Sequence, residues 1–485
     1  MRNISYLLLT SVCVLSLSGC ASPREYNTPS SPDGVDGTTL TKEYHGEAFQ
    51  TKDPIISWWQ ELNDEQLNTL ISKAAHHNKD IEITVANLKE ARAFRKETQF
   101  DYIPTVRSSA NSTYTRASEE TSGALDDRTS ELYNARLDAS WELDLFGRVS
   151  AGVDAAKARE QAAVADMHDM RIIIFAEVAS TYIQLRGLQY RLDIAQRNAG
   201  NQNETYDLSV RLANGGRNSQ LDVVRAQTQL ELTRSTIPSL EASIRSNINR
   251  LSVLTGQVPD ALQEQLSETH ALPTVPQVVN VGEVKDLLRR RPDIQRAERN
   301  LEASIADYNI SVADQFPSVS LIGNLGFAAT NLSDFGSSAL VSNIGPSISW
   351  AAFDFGRVKA RIRQNDARAQ AALSSYEKTI LEALEDLQTS MTNFVKEEER
   401  RARLQKAARL SKEAATLARK RYEAGVDAFI DVLSAEATLL EAEDTLAQSE
   451  ISAALQLIAI YKALGGGWII PTQNNDVDNE ETITK

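Results

Sequence analysis

Between Tyr133 and Leu145 every second residue is apolar: Tyr133, Ala135, Leu137, Ala139, Trp141, Leu143 and Leu145. The residues between them, Asn134, Arg136, Asp138, Ser140, Glu142 and Asp144, are all polar. A period of two sends successive side chains to opposite faces of a strand, so this run predicts a long strand with one wholly apolar face. Ile344, Ile348 and Trp350 against Asn343, Ser347 and Ser349 repeat the pattern, as do Val319, Leu321, Leu325 and Phe327 against Ser320 and Asn324. Val106, Ala110 and Tyr114 mark a weaker fourth run. The expected strands cover about 103–117, 131–146, 317–329 and 342–355. About nine to eleven tilted residues cross a bilayer, with apolar side chains toward lipid and polar ones toward a wet lumen. Four strands cannot close a barrel, for which about eight is the lower limit, and an open edge is not tolerated in lipid. The barrel is therefore shared between copies, and two, three or four all satisfy the physics.

Elsewhere the period is helical. From Lys359 to Ala424 neither Gly nor Pro occurs, and Val149 to Asn214 is nearly as clean. At 1.5 Å per residue each run reaches about 100 Å. Phe175, Val178, Tyr182 and Leu185 follow a spacing of three, four and three, which returns at Leu384, Leu387, Met391 and Phe394; such a stripe needs other helices to bury against. Gly187 and Gly200 leave open a break in the first run. Gly215, Gly216 and Gly425 stand where C-cap glycines end a helix, and Ser219 and Asp427 are candidate N-caps for the shorter helices that follow.

The two halves share one plan. WELDLFGRV at Trp141–Val149 returns as WAAFDFGRV at Trp350–Val358, and Leu221-Asp222-Val223 returns as Ile430-Asp431-Val432. An internal repeat of this period is a property of the whole fold. The expected organisation is a first repeat at 54–257, a linker at 258–282 with Pro259, Pro273 and Pro276, and a second repeat at 283–470. Helices are expected at about 149–214, 219–255, 357–424 and 428–464, with an acidic tail at 471–485. The paired motif reads as a junction from strand to long helix, with Gly147 and Gly356 permitting the turn and Phe146 and Phe355 packing there.

The first residues alter the address. Arg2, an apolar stretch from Tyr6 to Leu17, and Leu17-Ser18-Gly19-Cys20 read as a secretory signal, 1–19, followed by an extension at 20–53. Leu-Ser-Gly-Cys resembles the lipobox of bacterial lipoproteins, which implies a diacylglyceryl thioether and an N-acyl group on Cys20, and Ala21 implies the outer membrane. Three acyl chains anchor stably where one does not. Cys13 leaves with the signal, so Cys20 is the one cysteine remaining and an internal disulfide is excluded. A net charge of -15 excludes nucleic acid as a natural partner.

Little else suggests chemistry. The histidines His45, His76, His77, His168 and His270 lack metal-ligand spacing, and no phosphate loop or Gly-x-Ser-x-Gly elbow occurs. No cofactor and no catalytic residue is expected.

Trp58-Trp59 with Leu67 and Leu70, Asn78-x-Asp80-Ile81, Arg291-Pro292-Asp293-Ile294 with Ala297-Glu298, Phe316-Pro317-Ser318, and Asp354-Phe355-Gly356-Arg357 occur in fixed order. Together they resemble the outer-membrane efflux proteins of the TolC-like class, specifically the lipoprotein channels of tripartite multidrug pumps. The resemblance implies a mainly α fold with membrane β: a homotrimer with a twelve-stranded β-barrel, a twelve-helix periplasmic α-barrel and a mixed α/β belt. It also implies a periplasmic adaptor, an inner-membrane pump of the resistance-nodulation-division type, and outer-membrane lipid as partners. Passive export of drugs or other toxic small molecules follows. The alternatives are the exit duct of a type I secretion system or a lipid-anchored adhesive coiled coil. By the same resemblance, Asp222 and Asp431 line a periplasmic gate, Tyr422 helps tie neighbouring coils closed, and the tips at Gly215, Gly216 and Gly425 meet the adaptor. Each aspartate also sits in a first helical turn, where a carboxylate offsets the macrodipole by about 0.3–1 kcal/mol, so both roles remain open.

Overall fold

The computed structural model describes residues 22–27, 49–50, 57–118, 120, 129–217, 219–276, 278–281 and 290–468. Cys20 and the acidic tail lie outside them. The elements, in order, are β1 (Phe49–Gln50), a 3-10 turn (Trp58–Leu62), α1 (Glu65–His77), α2 (Lys79–Gln99), β2 (Thr105–Arg116), β3 (Thr129–Leu143), α3 (Arg148–Asn214) and α4 (Gln220–Leu254). There follow α5 (Gln263–Leu266), β4 (Val279–Asn280), α6 (Pro292–Ala313), β5 (Ser318–Ala329), β6 (Leu340–Ser349), α7 (Arg357–Glu423) and α8 (Phe429–Ala463). The chain divides into two compact units, the first drawn from Met1–Ser30, Asn87–Val164 and Arg296–Glu377, the second from Ser31–Ala86, Ala165–Gln295 and Lys378–Lys485.

The first unit is built on one antiparallel sheet of order β2-β3-β5-β6. Its register pairs Arg107 with Asp138, Asp138 with Asn324, and Asn324 with Asn343, so these four share a level and a face. The neighbouring rung pairs Val106 with Ala139, Ala139 with Gly323, and Gly323 with Ile344 on the opposite face. Around the sheet's end, Arg95 pairs with Glu160 at 2.7 Å and Arg361 with Asp314 at 2.7 Å, while Tyr308, Val312 and Ile362 form a small buried cluster.

The second unit holds the larger core. Trp58 stacks on Tyr461 at 5.3 Å, and Trp59 meets the edge of Phe175 at 5.3 Å. Phe175, Val178, Tyr182 and Leu185 from α3 and Leu387, Met391 and Phe394 from α7 are all in this core, as the three-four spacing requires. Buried hydroxyls find acceptors: Tyr182 donates to Asp64 at 2.8 Å and Tyr461 to Glu61 at 2.8 Å. Buried Arg291 donates to Asp293 at 2.7 Å, to Asp386 at 3.3 Å and to the Ala463 carbonyl at 3.1 Å, joining α6, α7 and α8.

Helix α3 runs unbroken through Gly187 and Gly200 for 67 residues. Gly187 serves close packing instead: a Cβ there would meet the Ile451 side chain of α8 at 2.2 Å. Among the described residues no helix is long and apolar enough to cross a membrane.

Candidate functional site

Two regions carry the features that sequence reasoning singled out: the faces of the sheet and the turns that join the long helices to their return helices. On the sheet, one face presents Val106, Tyr114, Leu137, Leu325, Ile344 and Ile348, each at least half exposed. The other presents Arg107, Ser109, Arg136, Asp138, Ser140, Asn324 and Asn343. Burying the apolar set would yield roughly 25 cal/mol per Å², so an isolated sheet leaves its main source of stability unused. Among the described residues its outer strands β2 and β6 also keep one unpaired edge each.

Trp141 and Trp350 sit at one end of β3 and just after β6, and their indole N–H groups donate to the Tyr102 and Gln315 carbonyls, both at 3.0 Å. Beyond them each long helix begins on an aspartate. Asp144 accepts from the Val149 and Ser150 N–H groups at 2.9 and 2.8 Å, and Asp354 from those of Gly356 and Val358 at 3.0 and 2.5 Å. Burial works to raise the Asp144 carboxyl, and the Val149 N–H, the Ser150 hydroxyl and N–H and the Arg148 charge together outweigh it and hold its pKa low. The Val358 N–H, followed by that of Gly356, does the same for Asp354. Phe146 stacks on Phe316 at 4.8 Å, as a packed junction needs. Phe355 departs from the expected packing: it is fully exposed and its φ is 54°. The Asp354 turn closes with this residue in the left-handed region, which points its ring to the outside of the monomer.

At the helix tips, Gly216 and Gly425 take φ values of 71° and 75°. The Gly215 N–H donates to the Arg211 carbonyl at the end of α3, at 3.1 Å. Ser219 caps α4: its hydroxyl receives the Asp222 N–H at 3.2 Å and donates to the Asp222 carboxylate at 2.7 Å. Arg225 stands 3.8 Å from the same carboxylate. Asp431 is tied to its own helix, where its carboxylate accepts from the Ala428 N–H at 3.2 Å. The N-cap of α8 is Ala428, which corrects the expectation for Asp427. Asp427 instead closes a two-bond fork with Arg421 at 2.6 and 2.8 Å, and that guanidinium holds its carboxyl below the usual range.

Tyr422 packs with Ala226, Phe429, Leu433 and Tyr206, its ring 5.2 Å from that of Phe429. Burial, and after it the charge of Asp222, pushes the phenol pKa up. The fold thus brings Tyr422 and Asp222 into one neighbourhood, while Asp431 serves the start of α8.

Sequence reasoning missed a polar junction below these tips. Arg419 of α7 donates to Glu436 of α8 at 3.0 Å and to Thr205 of α3 at 2.8 Å, and Thr205 donates to the same carboxylate oxygen at 2.8 Å. Glu436 is buried, and the Arg419 guanidinium and the Thr205 hydroxyl both donate to its Oε1. No group of His, Cys, Asp and Glu suited to a metal occurs among the described residues.

Comparisons with known proteins bear on this geometry. "Nodulation protein T" of Rhizobium leguminosarum bv. trifolii is 25% identical over 456 residues, covering 94% of this chain and 96% of that protein. "Probable efflux pump outer membrane protein TtgC" of Pseudomonas putida KT2440 is 28% identical over 481 residues, covering 98% and 99%. The solved structure of the outer-membrane channel OprN superposes with a TM-score of 0.86 at 38% identity, covering 93% of this chain and 100% of that one. The fold is thus mainly helical and similar to the TolC-like outer-membrane channels. A family model for "Outer membrane efflux protein" matches residues 70–257 and 284–466, and the chain belongs to the outer membrane efflux protein family.

Proposed function

We propose that the protein is the outer-membrane exit duct of a tripartite efflux pump, passively conducting drugs or other toxic small molecules outward. The observation that carries this reading is the bare apolar face of the four-stranded sheet, with polar side chains behind it and an open edge at each side. Lipid covers such a face, and further copies of the same sheet satisfy the edges. Three copies give a twelve-stranded barrel, and their long helices a twelve-helix periplasmic barrel with a mixed α/β belt, in keeping with the TolC-like resemblance.

The finer assignments belong to the same proposal. Cys20 carries the lipid anchor in the outer membrane, and the two repeats at 54–257 and 283–470 each supply two strands and a helical hairpin. Asp222 and Asp431 line the resting gate, with Tyr422 holding the hairpins together beside Asp222; the proximity of Tyr422 to that carboxylate supports this. Gly215, Gly216 and Gly425 form the tips that meet a periplasmic adaptor, which in turn meets an inner-membrane pump of the resistance-nodulation-division type.

The test is accumulation of a hydrophobic fluorescent dye in cells deleted for this chain. Wild-type protein restores low accumulation and Leu137→Arg does not. Equal accumulation with and without the chain would overturn the reading. For the gate, bilayer conductance of Asp222→Ala/Asp431→Ala protein rises or loses cation preference, and an unchanged trace contradicts that assignment.

A further inference from the structure

We infer that the exposed ring of Phe355 packs on Ile103 of the next copy, so that the turn after β6 and the approach to β2 form one head-to-tail contact. This contact rests on the shared-barrel reading above and names what joins each chain to the next.

The internal repeat supplies the template. Both halves use one geometry: the Trp141 indole donates to the Tyr102 carbonyl and its counterpart Trp350 to the Gln315 carbonyl, each at 3.0 Å. Thr105 pairs with Ser140, and their counterparts Ser318 and Ser349 pair in the same register. Where the first half meets the second inside the chain, β3 pairs with β5 and Phe146 stacks on Phe316 at 4.8 Å. Phe355 is the counterpart of Phe146 in the repeated motif, and Ile103, before Pro104, is the counterpart of Phe316, before Pro317. Within one chain this second pair does not meet: Phe355 is fully exposed and Ile103 is 53% exposed.

The two residues stand at the same end of the sheet and at its opposite edges, beside β6 and β2. The helices follow the same order. Arg95–Glu160 at 2.7 Å joins α2 to α3, Arg159–Asp307 at 2.5 Å joins α3 to α6, and the Tyr308, Val312 and Ile362 cluster joins α6 to α7. The outer members of the row are therefore α2 and α7, and a head-to-tail contact between them and their strands is of the kind that closes a ring. Carrying the β3–β5 register over to β6 and the β2 of the next copy sets Ile344 opposite Tyr114 and Ile348 opposite Ala110, apolar face on apolar face. A slip of one residue would set Ile344 opposite Thr113 or Thr115 instead. Continued past the strand ends, the same register sets Phe355 level with Ile103. The turns differ in one respect: the cap aspartate stands one residue nearer the helix in the second motif, Asp354 against Asp144, and Phe355 takes a φ of 54°. That turn holds the ring out from its own chain, where a neighbour can cover it.

The test uses engineered cysteines in the full-length protein, oxidised in isolated outer membranes and run on gels without reductant. Phe355→Cys/Ile103→Cys gives bands of two and three chains, and either substitution alone gives one chain; multi-chain bands in a single variant contradict the contact. Ile348→Cys/Ala110→Cys reports the strand pairing separately, since facing residues of antiparallel strands stand about 4.5–5.5 Å apart at Cα, within reach of a disulfide. Bonding of the strand pair without the Phe355 pair overturns the contact and leaves the ring to lipid. Bonding of neither pair overturns the head-to-tail closure, and the contact with it. Where the double variant does not assemble, Phe355→Ala decides: it shifts the dissociation temperature of the heat-stable assembly downward, and an unmoved temperature overturns the contact.

Discussion

Asp427 has two uses within reach: capping the helix that starts at Phe429, or closing on Arg421. It takes the second, and Ala428 is left as the N-cap. A charged fork of two short bonds outweighs a single cap bond to a neutral N–H. The sequence shows an Asp just before a helix and offers no sign that Arg421, on the preceding turn, competes for it. The pair has a pH signature. The Asp427 pKa is depressed in the folded chain, so its contribution is fully present above the ordinary carboxylate range, near about 4, and is lost as pH falls through the lower folded value. Protection of the Gly425-turn amides, taken relative to their intrinsic exchange rate, should therefore fall only below about pH 4, and Arg421→Ala should return the Asp427 titration, followed by NMR, to its ordinary value. A second prediction concerns Gly256, whose φ is 74° and whose added Cβ would meet the His77 carbonyl oxygen at 2.2 Å. Gly256→Ala should lower stability by more than the roughly 1 kcal/mol that the left-handed conformation alone costs, read as a fall in the urea midpoint.

At the scale of elements, the strands were the most legible part of the chain. The alternation through Tyr133 to Leu143 lies within β3, and Val106, Ala110 and Tyr114 mark β2 despite the scarcity of apolar residues there. Period two survives in sequence because one face must be uniformly apolar. The Gly187 position was ambiguous for a physical reason: a glycine that breaks a helix and a glycine that admits a neighbour such as Ile451 read alike until the neighbour is placed. The Arg419, Thr205 and Glu436 junction was illegible for the same reason, since its members lie on three helices. Two predictions belong here. Leu137→Arg, on the apolar face, should cost about 2–4 kcal/mol near the bilayer midplane and abolish heat-stable assembly on gels, whereas Asn324→Arg on the opposite face should assemble normally. Asp144→Ala removes both cap bonds of α3 and should cost about 0.5–2 kcal/mol, with faster amide exchange at Val149 and Ser150.

For the whole molecule, the ordered landmarks from Trp58-Trp59 to Asp354-Phe355-Gly356-Arg357 pointed to the efflux family, and the family match over 70–257 and 284–466 agrees. Those landmarks are legible because they do local work: Trp58 stacks on Tyr461, Arg291 ties three helices, and Asp354 starts α7. Copy number was not legible from strand counting, because four strands with two open edges fit several closed assemblies. The proposed duct requires copies of this sheet to close around a lumen in groups of three. Native mass spectrometry of the full-length protein released from lipid nanodiscs tests it most directly. One dominant species of three chains is expected; a dominant monomer or dimer, with its apolar sheet face and edges left uncovered, would contradict the trimeric duct.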